Sequence, residues 1–199
     1  MNSGNLNEQH IKQIRLNALS AKHIHTKEIG RWKQYNMAIT ILTLIVPILL
    51  LIFPVLQINR IFGFTLVNVT SVFSIFLISL AVLQFIIRIP NKIEKHQMLL
   101  TKNTTLAHEA QNILLNSSKQ NPEWLFRQAQ GLEVEDLKII GNVRKKLVQE
   151  AYRESLKELE LGNNWIVCPI CKASPWNFKK GSCEACGNTP EKNNSDGKN

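Results

Sequence analysis

Charge is missing from two long stretches of this chain: no Asp, Glu, Lys, Arg or His occurs from Gln34 to Asn59, or again from Ile61 to Ile87. Runs of that kind exclude an ordinary solvated surface over some fifty residues. Cysteine is missing from everything before Cys168. That rules out a disulfide framework along the body of the chain and places the late cysteines in a reducing compartment, as thiols or metal ligands. There is no Gly-rich phosphate loop and no dinucleotide fingerprint. Paired carboxylates and nucleophile–base spacings are also lacking, so a non-enzymatic role is expected. An apolar region near the start is absent too, since Met1–Asn36 is polar, which argues against a secretory signal.

What fills the uncharged stretches is aliphatic. Met37–Leu56 holds 20 residues, with only Thr40 and Thr43 hydroxylic; as a helix it spans roughly 30 Å, the thickness of a hydrocarbon core. Leu66–Ile87 is of similar length, and Gln57–Thr65 between them is short enough to require a tight reversal. A buried hairpin in a soluble core is the alternative, but 199 residues offer too little other apolar surface to wrap it. The chain carries a formal net charge of +9. Lys22, Lys27, Arg31 and Lys33 flank one side, Arg88, Lys92, Lys95 and Lys102 the other, and the loop has only Arg60. The positive-inside rule then puts both termini in the cytoplasm of a bacterial inner membrane. Anionic lipid suits this balance, and so in principle does nucleic acid.

The expected fold is an all-α membrane protein: a two-span transmembrane helical hairpin with cytoplasmic helices and a small C-terminal four-cysteine zinc ribbon. Its parts are an amphipathic helix over 1–36, the hairpin over 37–89 (spans about 37–56 and 66–87), helices over 90–162, the ribbon over 163–189 and a disordered tail over 190–199. Ile11, Ile14, Ala18, Ala21, Ile29 and Trp32 recur at helical spacing among basic residues and suit a helix lying on the inner membrane surface. Trp32 and Tyr35 stand where interfacial aromatics belong. His23 and His25 read as solvated members of the basic face.

Thr40, Thr43, Pro47 and Pro54 share one face of the first span; Thr65, Asn68, Ser71 and Ser79 share one of the second. Each proline removes an amide donor and frees the carbonyl four residues back. These stripes suit helix packing or the lining of a poorly selective pore built from several copies; without an ionisable residue they exclude a proton relay. Pro90 and Asn91 start a new helix with two heptad rows. Ile93, Leu100, Ala107 and Leu114 form a candidate oligomer seam, with Leu99, Leu106 and Ile113 beside them and His96 and Asn103 as polar register positions. Packing on the same chain would give the same pattern. A further helix starts at Asn121-Pro122-Glu123, stalls at Gly131 and resumes to about Leu161, where Gly162-Asn163-Asn164 suits a cap. Its apolar face is Leu137, Ile140, Leu147, Val148, Ala151 and Leu159.

Cys168-Pro-Ile-Cys171 and Cys183-Glu-Ala-Cys186-Gly are separated by 11 residues. Two knuckles bending around one ion are what a four-thiolate tetrahedral site needs, with zinc the expected ion and iron the alternative. Gly187 suits the turn of a knuckle, and Lys172 holds the equivalent place in the first. Trp165, Trp176 and Phe178 are available to cover the site or to bind; Lys172, Lys179 and Lys180 are few for nucleic acid.

The order of basic helix, two spans with a short loop and cytoplasmic helices resembles the SLATT superfamily of two-transmembrane bacterial proteins. The spacing of Cys168, Cys171, Cys183 and Cys186 resembles the family described as mobilome CxxCx(11)CxxC proteins. The resemblance implies a component of mobile-element conflict or antiviral defence systems: a homo-oligomeric, pore-forming membrane effector that acts when a sensor or nucleotide-signalling partner responds to infection. A membrane-anchored zinc-ribbon tether that docks a protein or nucleic acid is the alternative.

Overall fold

A computed structural model describes residues 3–55, 60–61, 64–115, 122–141, 143–159 and 166–190. Among them the elements run α1 (Ser3–Val55), β1 (Arg60–Ile61), β2 (Phe64–Thr65), α2 (Leu66–Ile87), α3 (Ile89–Leu115), α4 (Glu123–Ile140) and α5 (Lys145–Leu159), followed by a cysteine module without helix. They form two compact units: Met1–Lys27 with Gln97–Asn199, and Glu28–His96.

The second unit holds the uncharged runs. The C-terminal part of α1 stays helical through Pro47 and Pro54 to Val55; Leu56, the last residue of the expected first span, lies outside the described residues. The hydroxyls of its stripe turn inward on their own helix, Thr40 Oγ1 donating to the Asn36 carbonyl (2.8 Å) and Thr43 Oγ1 to those of Ile39 and Thr40 (3.0 Å each). The reversal contains an antiparallel ladder pairing Arg60 with Thr65 and Ile61 with Phe64.

Helix α2 has the bounds expected of the second span. It ends where Arg88 turns left-handed (φ 49°, ψ 51°) and donates its N–H to the Gln84 carbonyl. That break falls just before Pro90, which sits in the first turn of α3 and so gives up no intrahelical bond. One helical run, Val67–Leu115, contains a window long and apolar enough to cross a membrane, and only 6 % of that window is buried. Asn36 and Gln84 join α1 to α2 at 3.4 Å. Lys92 Nζ lies 4.4 Å over the Trp32 ring, and Trp32 meets Tyr35 edge-on.

The first unit is a helical bundle. Ile11, Ile14, Ala18 and Leu19 of α1 share a core with Leu99, Leu106, Ala107, Ala110 and Ile113 of α3 and Leu125 and Leu132 of α4. The α1 face expected to rest on lipid is therefore covered by the chain's own helices, a protein core being as good a partner for an aliphatic stripe as a bilayer. One of the two heptad rows, Leu99, Leu106 and Ile113, lies in the same core. Of the candidate seam, Ala107 is buried; Leu114 packs half-buried on the core, and Ile93 and Leu100 are half-buried.

Helix α4 passes straight through Gly131, correcting the expected stall. The break comes ten residues later at Gly141, where an added Cβ would stand 2.7 Å from the Leu137 carbonyl oxygen. Burial of Leu125 and Leu132 on either side offsets the ~1 kcal/mol that an interior glycine costs. Leu137, placed on the apolar face by its spacing, is 63 % exposed, whereas Ala151 is buried. The Gly162–Asn164 cap lies outside the described residues.

Candidate metal centre

The cysteine module is built from two turns in one hydrogen-bond pattern. In the first, the Lys172 N–H donates to the Cys168 carbonyl (2.8 Å) and the Cys168 N–H to the Ala173 carbonyl (3.0 Å). In the second, Gly187 N–H donates to the Cys183 carbonyl (2.8 Å) and Cys183 N–H to the Asn188 carbonyl (3.1 Å). The residue after each second cysteine is left-handed, Lys172 at φ 61° and Gly187 at φ 68°. The turn requires that conformation; glycine takes it freely, and lysine at a cost of about 1–2 kcal/mol.

These turns bring four buried sulfurs together. Cys168 and Cys183 Sγ are 4.0 Å apart, Cys171 and Cys186 Sγ 3.4 Å, and all four lie within 4.8 Å of one another. A disulfide needs about 2.05 Å, so these are separate thiols. A regular tetrahedron with metal–sulfur bonds near 2.3 Å has sulfur–sulfur edges of about 3.8 Å. The donor set therefore fits one tetrahedral ion such as zinc. Burial alone would raise the Cys183 thiol, but the N–H groups of Cys186 and Ala185 and its thiol neighbours outweigh it and bring it down to about 7. Burial pushes Cys171 and Cys186 up. Cys168, Cys171, Cys183 and Cys186 would hold such an ion as thiolates, and its charge would favour their ionisation.

Of the two roles open to the aromatics, covering the sulfurs falls to other residues. Trp176 and Phe178 are 38 % and 49 % exposed, and Trp165 lies outside the described residues. Leu16 of α1 and Leu156 of α5 are buried with the cysteines, and Tyr152 packs half-buried against them. Burial, then the negative charge the neighbouring cysteines carry when ionised, pushes the Tyr152 hydroxyl up to about 12. Phe178 instead carries the Arg153 guanidinium, 3.9 Å from its ring centroid. The same Arg153 donates to the Cys186 carbonyl, and Gln149 Nε2 donates to those of Cys183 (3.1 Å) and Glu184 (3.3 Å). Helix α5 thus grips the second turn through its backbone.

Asn188 was not singled out by sequence reasoning. It is 1 % exposed. Its Oδ1 accepts the Lys179 and Thr189 N–H groups, and its Nδ2 donates to the Ser174 and Asn177 carbonyls, tying the 11-residue connection to the second turn. An amide directly after Cys-x-x-Cys-Gly is the signal that could have found it. Lys172, Lys179 and Lys180 are exposed.

Away from the sulfurs, His25 is not a solvated surface residue: it is fully buried, and its Nε2 stands 2.9 Å from Asp136 Oδ1. Asn103 completes the group, donating from Nδ2 to both Asp136 oxygens (3.2 and 3.0 Å) and to the Leu99 carbonyl. His23 and Lys22 meet Glu158 of α5 at 3.0 and 2.5 Å. Of the stripe residues in α2, Ser71 and Ser79 donate to the carbonyls of Val67 and Ile75, while the Asn68 side chain is exposed and has no hydrogen-bond partner among the described residues.

A family model described as mobilome CxxCx(11)CxxC protein matches residues 8–189. Comparison with curated proteins and with solved structures returns no match.

Proposed function

The chain belongs to the mobilome CxxCx(11)CxxC family, and from that premise we propose that it is a SLATT-like, homo-oligomeric, pore-forming membrane effector of a mobile-element conflict system. Two spans cross the bacterial inner membrane, both termini are cytoplasmic, and a zinc ion sits between the four cysteines. The observation that carries the reading is α2: 15 of its 22 residues are Leu, Ile, Val or Phe, none is charged, and most of its described side chains are exposed. At roughly −0.3 to −0.6 kcal/mol each, those residues favour a bilayer by on the order of −5 to −9 kcal/mol. Two amides and four hydroxyls oppose them.

The same bareness extends along α1, where Met37, Leu44 and Leu51 are all more than half exposed. Three hydroxyls of α2 are satisfied by its own backbone, which lowers their cost in lipid. The Asn68 amide is different: in hydrocarbon it needs a partner, and a second copy or pore water supplies one. That supports association through the Asn68–Ser71 face.

The test is to induce the full chain in a bacterial host and follow membrane potential and membrane partition. Wild type should pellet with membranes and depolarise the cells; the Asn68→Leu/Ser71→Leu double variant should pellet equally and leave the potential intact. Depolarisation unchanged in the double variant removes the pore. A tether reading is favoured by Ile170 and Phe178, which are 66 % and 49 % exposed on the cysteine module; it predicts membrane partition with no depolarisation by wild type. Metal analysis of the purified chain decides between zinc and iron.

A further inference from the structure

A cavity of about 390 Å³ lies in the helical bundle between α1 and α4, in the size range of small-molecule sites. Its floor is aliphatic, with Ile14, Ala18, Leu106 and Leu132 all buried. Its mouth carries exposed Gln13, Asn17, Gln130 and Glu133. At one side His10 stacks on Phe126, ring centroids 4.6 Å apart and planes 15° from parallel, giving an aromatic wall.

Charge identifies the class of occupant. The chain has 24 Lys and Arg residues and a net charge of +9, yet none of the 20 described residues lining this cavity is Lys or Arg, whereas Glu133 and Asp136 both line it. A phosphate or carboxylate entering here would give up its hydration to face the exposed Glu133 and the His25-paired Asp136, with His10, stacked on Phe126, the one side chain in the lining able to carry positive charge. Asp136 also has acceptor capacity to spare. An ionised carboxylate has about four acceptor positions, and its described donors are His25 Nε2 and Asn103 Nδ2. Amides at the mouth accept as readily as they donate, and an aromatic face attracts a cation.

We propose that this cavity is a binding site for a small amphipathic amine: one ammonium or amino group on an apolar, preferably aromatic, body, with no phosphate. The apolar body occupies the aliphatic floor, and the amine points to Glu133 and Asp136. The proposal goes beyond the membrane reading and stands without it, because binding is measured on the purified chain whether or not it conducts.

The experiment titrates the full chain in detergent with tryptamine and, in parallel, with indole-3-acetate, which has the same ring system and the opposite charge. Tryptamine should give a saturable rise in melting temperature and indole-3-acetate none. Glu133→Gln should weaken tryptamine about three- to fivefold, the scale of an exposed charge pair. Asn17→Trp, which fills the mouth from an exposed position, should abolish the saturable shift while the protein keeps its unliganded melting temperature. Equal shifts from both ligands, no saturable shift from tryptamine, or a tryptamine shift that survives Asn17→Trp would each overturn the proposal.

Discussion

Gly187 and Lys172 occupy equivalent places in the two turns, and substituting both by alanine separates backbone cost from side-chain cost. At Lys172 a side chain already sits at φ 61°, so Lys172→Ala removes an exposed chain and leaves the backbone as it was, within about ±0.5 kcal/mol. At Gly187, with φ 68°, a new Cβ adopts a conformation worth about 1–2 kcal/mol against it. It also stands 2.7 Å from Gln149 Oε1. That atom is the end of a flexible side chain and yields easily, but by moving it withdraws the Gln149 amide from the Cys183 and Glu184 carbonyls, a further loss of about 1 kcal/mol. Reduced freedom of the unfolded chain returns about 0.4–1 kcal/mol. The balance is about 2 kcal/mol, and because ligation and folding of so short a module are one equilibrium, it is read as metal affinity weakened about 25-fold. Competition for zinc against a chromogenic chelator, on the full chain in detergent, measures this directly. If Gly187→Ala and Lys172→Ala hold zinc equally well, the account of the two turns is wrong.

Gly131→Ala should stabilise α4 by about 0.5–1 kcal/mol, since the helix runs through it and an added Cβ meets nothing within 4 Å; a rise in melting temperature of the bundle checks it. Asn103→Ala should cost about 1–3 kcal/mol, because it strips a buried carboxylate of its amide donor; denaturant titration by circular dichroism reads the loss. Burial raises the Glu158 carboxyl, but Lys22 and His23 outweigh it and hold it below its ordinary value of 4.5. A lowered carboxylate contributes stability that is complete above that value and is lost as pH falls through the folded value. Acid titration should therefore loosen α5 below about pH 4.5 in wild type, and Glu158→Gln should flatten that limb.

Much of this was legible from residue order alone. The end of α2 is the end of an uncharged run, at Arg88, and the four sulfurs converge as a repeated Cys-x-x-Cys implies. What was not legible shares one cause: an apolar stripe records that something covers it, not what. Ile11, Ile14 and Ala18 suit a membrane surface as well as a core, and here they share a core with α3 and α4; of the candidate seam, Ala107 is buried in that core while Ile93 and Leu100 stay half-buried. Gly131 was misleading because propensity is a small term beside two buried leucines. His25 was misleading because its partner, Asp136, is more than a hundred residues away along the chain.

The two sulfur turns are alike in register but unlike in their moorings. Side chains of α5 hold the carbonyls of Cys183, Glu184 and Cys186, and among the described residues no such grip reaches the backbone of Cys168–Cys171. Chelation should therefore loosen the Cys168 turn before the Cys183 turn. Amide hydrogen exchange of the full chain with and without chelator would read the difference; equal loss of protection in both turns would refute it.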